Sequence, residues 1–459
     1  MKVAVFGAGY VGLVSGVGLA SRGHEVVCVD IDPARVERLS RGDPGLHEPG
    51  LGTLLGSCLA SGAFRVTASA EEALGGAAIA MIAVGTPDRE GRIDLAFVLR
   101  AAETVGAHLR TRRDRVLVVV KSTVVPGSTH GPIRAALERA SGKVAGEQFG
   151  LSMNPEFLRE GSALADFMSP DRIVLGALDA QSAELLEKLY ASFDCPKLRL
   201  TPTEAEFAKY VSNAFLATLI SFSNEIFSLC EAAPSVSGRR VLESLHLDRR
   251  LSPPQSASAV RPEVLGYLMG GIGFGGSCLP KDLNALASLA RDGQLPVPLL
   301  EAVIAVNQDR PRAIVARLAT ALGALSGRTV AVLGLAFKPG TDDWRESPSL
   351  PLIGALLDAG CAVRAWDPLV GEAALARFGG RVALARDAGA ALAGADAGLI
   401  ATAWPELKSW PWDALVASMA TPLVLDGRNL LGELRWPAGT RYLPLGQGPV
   451  AAPTAGSAP

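Results

Sequence analysis

Lysine is scarce in this chain: nine lysines stand against thirty-five arginines. Where arginine supplies most of the positive charge, a lysine held inside a recognisable motif points to a site that wants a compact point charge or a titratable amine. Four of the nine, Lys121, Lys209, Lys281 and Lys338, fall in such segments. Other absences narrow the class. With a formal net charge of −2 and no lysine/arginine block, neither nucleic acid nor an anionic membrane surface is expected as a partner. The six cysteines (Cys28, Cys58, Cys195, Cys230, Cys278, Cys361) form no C-x-x-C pair and no His/Cys cluster, so no disulfide framework and no metal site are expected. No apolar run reaches the ~18 residues of a membrane span. Met1-Lys2 leads directly into a strand-like run rather than a cleavable apolar segment, and the expected address is the cytoplasm.

What is present is apolar and enzyme-like: 49% hydrophobic residues over 459, enough for two or three cores at roughly 100–200 residues per domain. The run Val3-Ala4-Val5-Phe6 is followed by Gly7-Ala8-Gly9-Tyr10-Val11-Gly12, a helical stretch to about Ser21, and a second run from Glu25 to Val29 that ends in Asp30. This is the dinucleotide fingerprint in its required context of strand, G-x-G-x-x-G, helix, strand and acid. Gly7, Gly9 and Gly12 permit the turn and let pyrophosphate approach the helix N-terminus. Asp30 is expected to bind the adenosine ribose hydroxyls and repel a 2′-phosphate, which selects NAD. Strands 78–84 and 115–120 lead to Thr86 and Lys121-Ser122-Thr123, and Thr86 and Thr123 are expected to face the cofactor. A further strand ends in Asn154-Pro155-Glu156-Phe157-Leu158-Arg159-Glu160-Gly161.

Near 202 the pattern becomes purely helical. Thr203 with Glu206 fits a capping box, and apolar residues then recur at helical spacing to about Ala232, predicting a helix of roughly 40 Å at about 1.5 Å per residue. Lys209 and Asn213 lie on one face of it. Residues 233–262 read as irregular, an exposed insertion with Pro253-Pro254. Gly273-Phe274-Gly275-Gly276-Ser277-Cys278-Leu279-Pro280-Lys281-Asp282 then places Cys278 at the N-terminus of a helix, where free N–H groups favour a thiolate; Asp282 is one turn on. The glycines here bring backbone close to something, and the cysteine reads equally as nucleophile or small buried hydrophobe. A second α/β unit begins at Arg328 and passes Phe337-Lys338-Pro339-Gly340-Thr341-Asp342-Asp343. Its first turn lacks the G-x-G-x-x-G spacing, so a second dinucleotide is not required there.

Together these motifs resemble the UDP-glucose/GDP-mannose dehydrogenase family over about residues 1 to 430. The resemblance implies two Rossmann-like doubly wound α/β domains joined by a long central helix: an NAD-binding domain (1–200), a central helical and dimerisation domain carrying the cysteine (201–312), a nucleotide-sugar domain (313–445) and a disordered tail (446–459). It implies a four-electron oxidation of a nucleotide sugar at C6 by two NAD, with Cys278 as nucleophile, Lys209 and Asn213 at the oxyanion, and Asp282, Glu156 and Thr123 handling protons. Cofactor contacts carried over are Val11, Asp30, Arg35, Thr86, Thr123, Glu160, Lys281 and Arg345. Substrate contacts are Phe157, Leu158, Arg159, Glu160, Lys209, Asn213, Tyr267, Leu268, Met269, Gly270, Gly271, Gly275, Lys338 and Arg428. A homodimer acting on a small nucleotide sugar is expected, with UDP-glucose as the sugar nucleotide and GDP-mannose or a UDP-N-acetylhexosamine as the alternative. A two-electron β-hydroxyacid dehydrogenase shares the first domain and a helix with lysine and asparagine, but has no use for Cys278. A non-enzymatic nucleotide-binding module has no use for the chemical groups at the strand ends. The chain departs from the family at Asp248-Arg249-Arg250-Leu251, which is followed by an inserted Ser252–Arg261, and at Tyr267–Gly271. Arg250 and Arg261 are the candidates for reaching a neighbouring subunit's substrate.

Overall fold

Strand β1 (Lys2–Phe6) is buried at four consecutive positions, as expected of a strand covered on both faces of a parallel sheet. The computed structural model describes residues 1–89, 91–252, 254–255, 258–259 and 262–449. It divides into two bodies, Met1–Ser212 and the chain from Asn213 onward.

In the first body β1 is followed by α1 (Tyr10–Ser21), β2 (Glu25–Val29), α2 (Pro33–Ser40), α3 (Leu51–Ala60), β3 (Phe64–Thr67), α4 (Ala70–Leu74) and β4 (Ile79–Ile82). A short hairpin, β5 (Asp88–Arg89) and β6 (Arg92–Ile93), precedes α5 (Ala96–Leu109) and β7 (Leu117–Val120). The chain continues through α6 (Arg134–Ser141), β8 (Gly150–Met153), α7 (Ala163–Met168), β9 (Ile173–Ala177), α8 (Ala180–Leu189) and β10 (Lys197–Leu200). The sheet order is β10-β9-β8-β7-β4-β1-β2-β3, parallel except where β8 meets β9. Two apolar layers, one around Leu13, Leu55 and Phe64 and one around Val105, Leu137 and Phe149, bury the two faces. Each fully buried large side chain contributes about 1.5–3 kcal/mol.

Helix α9 (Pro202–Ala232) matches its predicted span. Its cap does not match. The capping box is Thr201 with Glu204, whose carboxylate accepts from the Thr201 N–H and hydroxyl at 2.8 Å. Pro202 occupies the first helical position, where no donor is needed. Glu206 is thereby released, and accepts instead from the amides of Gly127 (2.6 Å) and Thr129 (2.8 Å).

In the second body, α10 (Gly238–Leu245) occupies part of the stretch expected to be irregular. Ser237 caps it by accepting from the Arg240 N–H, and Leu242 on its inner face is buried. A two-residue pairing of β11 (Pro254–Gln255) with β12 (Ser258–Ala259) follows; Arg261 and the rest of the insertion's centre lie outside the described residues. Then come α11 (Leu279–Asp292), α12 (Pro298–Leu322), β13 (Thr329–Leu333), α13 (Ser349–Asp358), β14 (Ala362–Trp366) and β15 (Val382–Leu384). The chain closes with α14 (Ala388–Leu392), β16 (Ala397–Ile400), α15 (Trp412–Ala417), β17 (Leu423–Asp426) and β18 (Arg441–Pro444). These strands form an all-parallel sheet in the order β15-β14-β13-β16-β17-β18. The first residues of the segment expected as a tail are hydrogen-bonded to the rest of this body. The Gly446 N–H donates to Glu231, and Gly238 and Ser235 donate to the carbonyls of Gly446 and Pro449. This backbone pairing fixes 446–449, while residues 450–459 lie outside the described residues.

Candidate active site

The turn after β1 is built as a dinucleotide turn should be. Gly7 has φ +100°, and a Cβ there would lie 2.7 Å from the Ala83 carbonyl oxygen; a Cβ at Gly12 would lie 1.8 Å from that of Gly7. A Cβ at Gly9 meets nothing within 4 Å. The first and third glycines are thus required by the protein's own packing, and the second opens onto free space. Gly9 also begins α1 without a side-chain cap, leaving the first amides of a 12-residue helix for an anion. Asp30, at the end of β2, accepts from the Ala8 N–H at 2.8 Å and pairs with Arg35 at 3.0 Å. Thr86 and Thr123 follow the carboxyl ends of the neighbouring strands β4 and β7. This cradle fits NAD.

The carboxyl end of β8 leads to a buried ionic group. Lys209 on α9 pairs with Glu156 at 2.9 Å, and both are buried. Glu156 also accepts from the Leu158 N–H at 2.6 Å. Burial pushes the Glu156 carboxyl up; the Lys209 ammonium and its hydrogen bond outweigh that, so the carboxyl titrates below the usual range. The Phe157 ring lies 4.1 Å from the Arg172 guanidinium and 5.6 Å from the Lys209 ammonium.

In the second body Cys278 is the N-cap of α11, half-buried, with Pro280 inside the first turn. The glycines before it serve packing within the protein: a Cβ at Gly275 would lie 2.1 Å from the Glu346 carbonyl oxygen, and one at Gly276 2.8 Å from the Phe337 ring. Asn307 clamps the loop by accepting from the Phe274 N–H (2.8 Å) and donating to its carbonyl (3.1 Å). One turn into α11, Asp282 is 1% exposed; it accepts from the Asn213 amide at 2.6 Å and from the Lys281 ammonium at 2.7 Å. Cys278 thus stands at a helix N-terminus, where free N–H groups favour a thiolate, one turn before a carboxylate held by two donors. Three models of one family match the chain in order: the NAD binding domain over residues 1–194, the central domain over 203–309 and the UDP binding domain over 331–433.

The chain belongs to the UDP-glucose/GDP-mannose dehydrogenase family. Among its relatives, UDP-glucose 6-dehydrogenase TuaD of Bacillus subtilis (strain 168) is 38% identical over 97% of this chain and 93% of that protein. A UDP-glucose 6-dehydrogenase of Pseudomonas aeruginosa PAO1 is 41% identical over 95% of each. The solved structure of a UDP-glucose dehydrogenase from the archaeon Pyrobaculum islandicum superposes with a TM-score of 0.86 at 42% identity, covering 96% of both chains. As a member of the family the protein is an NAD-dependent oxidoreductase, and its two Rossmann-like folds and long central helix are the family's architecture.

Within this dehydrogenase several expected ligand contacts are already engaged by the protein. Arg159 grips Asp166 through two nitrogens, and Arg345 grips Asp343 in the same way. Lys338 stands 5.6 Å from the Phe337 ring. Arg428 is half-buried and donates to the carbonyls of Ala401 (2.7 Å) and Gly273 (3.3 Å); desolvation lowers its pKa to about 10. Gly270 and Gly271 of the segment Tyr267–Gly271 are held to α9 and α12: a Cβ at Gly270 would lie 2.3 Å from the Phe227 ring, Gly271 N–H donates to Asn224, and its carbonyl accepts from Arg310. In the second Rossmann-like fold Asp367 sits where Asp30 sits in the first, but it accepts from Leu335, Ala336, Leu369, Val370 and the Trp404 indole. An acid so occupied has no free lone pair for a ribose, which explains physically why this turn needs no dinucleotide fingerprint. Two groups were given no role from the sequence: the buried Lys121–Asn154–Tyr190 network, whose lysine and asparagine lie in motif segments, and Glu48. Glu48 accepts from Tyr10 and from the N–H groups of Gly161 (2.9 Å) and Leu164 (3.1 Å), tying the cofactor turn to the loop of Glu160.

Proposed function

We propose that the chain oxidises the C6 alcohol of UDP-glucose to the carboxylate, giving UDP-glucuronate, through a covalent bond to Cys278. The single observation that carries this is the placement of Cys278 at the N-terminus of α11 with the buried Asp282, held by Asn213 and Lys281, one turn on, for which a two-electron dehydrogenase has no use. The names and the near full-length similarity of the relatives support the sugar nucleotide. Bound NAD supplies the hydride acceptor for both oxidations. Between them the Cys278 sulfur adds to the C6 aldehyde, forming a thiohemiacetal; loss of the second hydride leaves a thioester, and water cleaves its C–S bond to release carboxylate and thiol. Lys209 and Asn213 serve the oxygen on C6 as negative charge develops. Glu156, or Thr123 through a water, activates the hydrolytic water, and Asp282 receives or returns the sulfur's proton.

In this proposal Gly7, Gly9, Val11, Gly12, Asp30, Arg35, Thr86, Thr123, Glu160, Lys281 and Arg345 hold NAD. Phe157 to Glu160, Lys209, Asn213, Tyr267 to Gly271, Gly275, Lys338 and Arg428 form the nucleotide-sugar site, with Arg428 and Gly270–Gly271 acting by holding its backbone. We assign 1–200 to NAD, 201–312 to the helical centre and 313–445 to the sugar nucleotide. A homodimer through α9 is supported by the exposed stripe Phe207, Val211, Phe215, Phe222 and Leu229, all on one side of the helix. The cytoplasm is supported by six free cysteines. The test is stoichiometry: two NADH per UDP-glucose are expected, with Cys278→Ser unable to complete the second. One NADH per sugar would overturn the thioester route. Turnover of another nucleotide sugar with none of UDP-glucose would shift the substrate to that sugar, an outcome to which the departure at Tyr267–Gly271 gives weight.

A further inference from the structure

Lys121 stands just past β7 and is 5% exposed. Its ammonium donates to Asn154 Oδ1 at 2.9 Å and lies 5.9 Å from the centre of the Tyr190 ring. Asn154 is gripped from three elements. Its Oδ1 also accepts from the Tyr190 hydroxyl of the segment ending α8 (2.6 Å), and its amide donates to the Val174 carbonyl of β9 (2.8 Å). Two residues on is Glu156. The charges facing Lys121 are Glu156 and, from α9, Lys209; Arg172 stands beyond Phe157. Lys121, Lys209 and Glu156 therefore place two ammonium groups and one carboxylate in a buried cluster, a net positive charge where desolvation is costly. Hydrophobic packing would be served better by a methionine, so the charge itself needs an explanation.

We propose that Lys121 is a positioning residue with two tasks: through Asn154 it fixes the turn that presents Glu156, and its charge keeps Glu156 an anion while the Lys209 charge is shared with the substrate oxygen. This rests on the roles given above to Glu156 and Lys209. Burial pushes the Lys121 ammonium down to about 8, with Glu156 acting against that and Lys209 with it, so the charge is present at neutral pH and withdrawn on the alkaline side.

The test is the pH profile of kcat in the parent and four variants alongside their melting temperatures. Lys121→Gln keeps a donor for Asn154 but removes the charge; the acid limb set by Glu156 moves up by on the order of one pH unit, because a lost neighbouring cation raises a carboxyl pKa. Lys121→Met, which removes donor and charge, moves the limb equally and melts lower, so either soluble variant carries the test. Tyr190→Phe removes only a hydrogen bond to Asn154; it melts lower with its limb unmoved. Glu156→Gln has no such limb. An unmoved limb in both Lys121 variants, with the limb absent from Glu156→Gln, overturns the proposal alone. A limb that survives Glu156→Gln removes Glu156 from the reaction and the proposal with it.

Discussion

The Asn213 side-chain amide donates to Asp282 Oδ2 at 2.6 Å, joining α9 to the first turn of α11 one turn beyond Cys278. Lys281 holds the other oxygen. A carboxylate 1% exposed that loses one of two such donors bears most of its own desolvation, about 1–3 kcal/mol. Asn213→Ala is therefore expected to lower stability to urea by that amount and to slow the second oxidation. Lys281→Met does the same, and the two together cost less or more than their sum because they share one acceptor. Additive losses in a double-mutant cycle would show that Asp282 does not couple them.

Two glycines of the turn, Gly12 and Gly9, separate packing from binding. In Gly12→Ala the new methyl group must displace the Gly7 carbonyl oxygen, 1.8 Å away, so a melting temperature lowered by several degrees and a poorly folded first body are expected. In Gly9→Ala nothing of the protein is met. Melting of the protein without NAD should stay within a degree of the parent, while KM for NAD rises at least tenfold, because the methyl occupies the approach to the helix N-terminus. Equal effects of both substitutions on melting would refute the distinction.

That contrast also marks how far the amino-acid sequence could be read. Strand runs such as Val3–Phe6 and the apolar period of α9 are local signals, and their spans were recovered nearly to the residue. The places of Asp30 at the end of β2 and of Cys278 at the N-terminus of α11 were legible because each follows a motif with a fixed offset. The partners of Asn154 were not, because they come from just past β7, from β9 and from the end of α8, between 20 and 36 residues away in sequence. Glu206 shows the same limit. Its spacing from Thr203 satisfied a local rule, while its carboxylate was taken by amides 77 and 79 residues earlier. Local periodicity names the elements, and pairings across the sheet decide which polar groups are spent on structure.

Lys121 should also leave a mark on stability. Its folded value of about 8 lies below the 10.5 of an unconstrained lysine. Below pH 8 both folded and unfolded chains carry the proton and the burial cost is felt in full. As the pH rises from 8 toward 10.5 the folded protein releases its proton first, so stability rises, by on the order of 1–3 kcal/mol. Cys28, pushed by burial up to about 12, works the other way once the unfolded thiol ionises, so the contribution of Lys121 is read as a difference. Chemical denaturation of parent and Lys121→Gln at pH 7 and 9.5 should show the parent gaining relative to the variant. A constant difference between the two pH values would mean that the ammonium is not destabilised by burial.

Gly270 tests why glycine stands in the segment before the cysteine loop. A Cβ there would lie 2.3 Å from the Phe227 ring, which is also met at 2.9 Å by one at Gly238 and at 2.6 Å by one at Gly446. Phe227 is fully buried on α9, so three glycines from separate segments make room for one ring. Gly270→Ala is then expected to push Tyr267–Gly271 outward, raising KM for the nucleotide sugar severalfold while leaving KM for NAD unchanged. Phe227→Leu alone costs about 1 kcal/mol or more through the space it vacates. Combined with Gly270→Ala, the smaller side chain should accommodate the added methyl and recover part of both the stability and the KM, a negative coupling energy in the double-mutant cycle. If the pair is additive, Gly270 is glycine for the sake of the bound sugar nucleotide rather than for Phe227, and the segment would have to be assigned a direct contact with substrate.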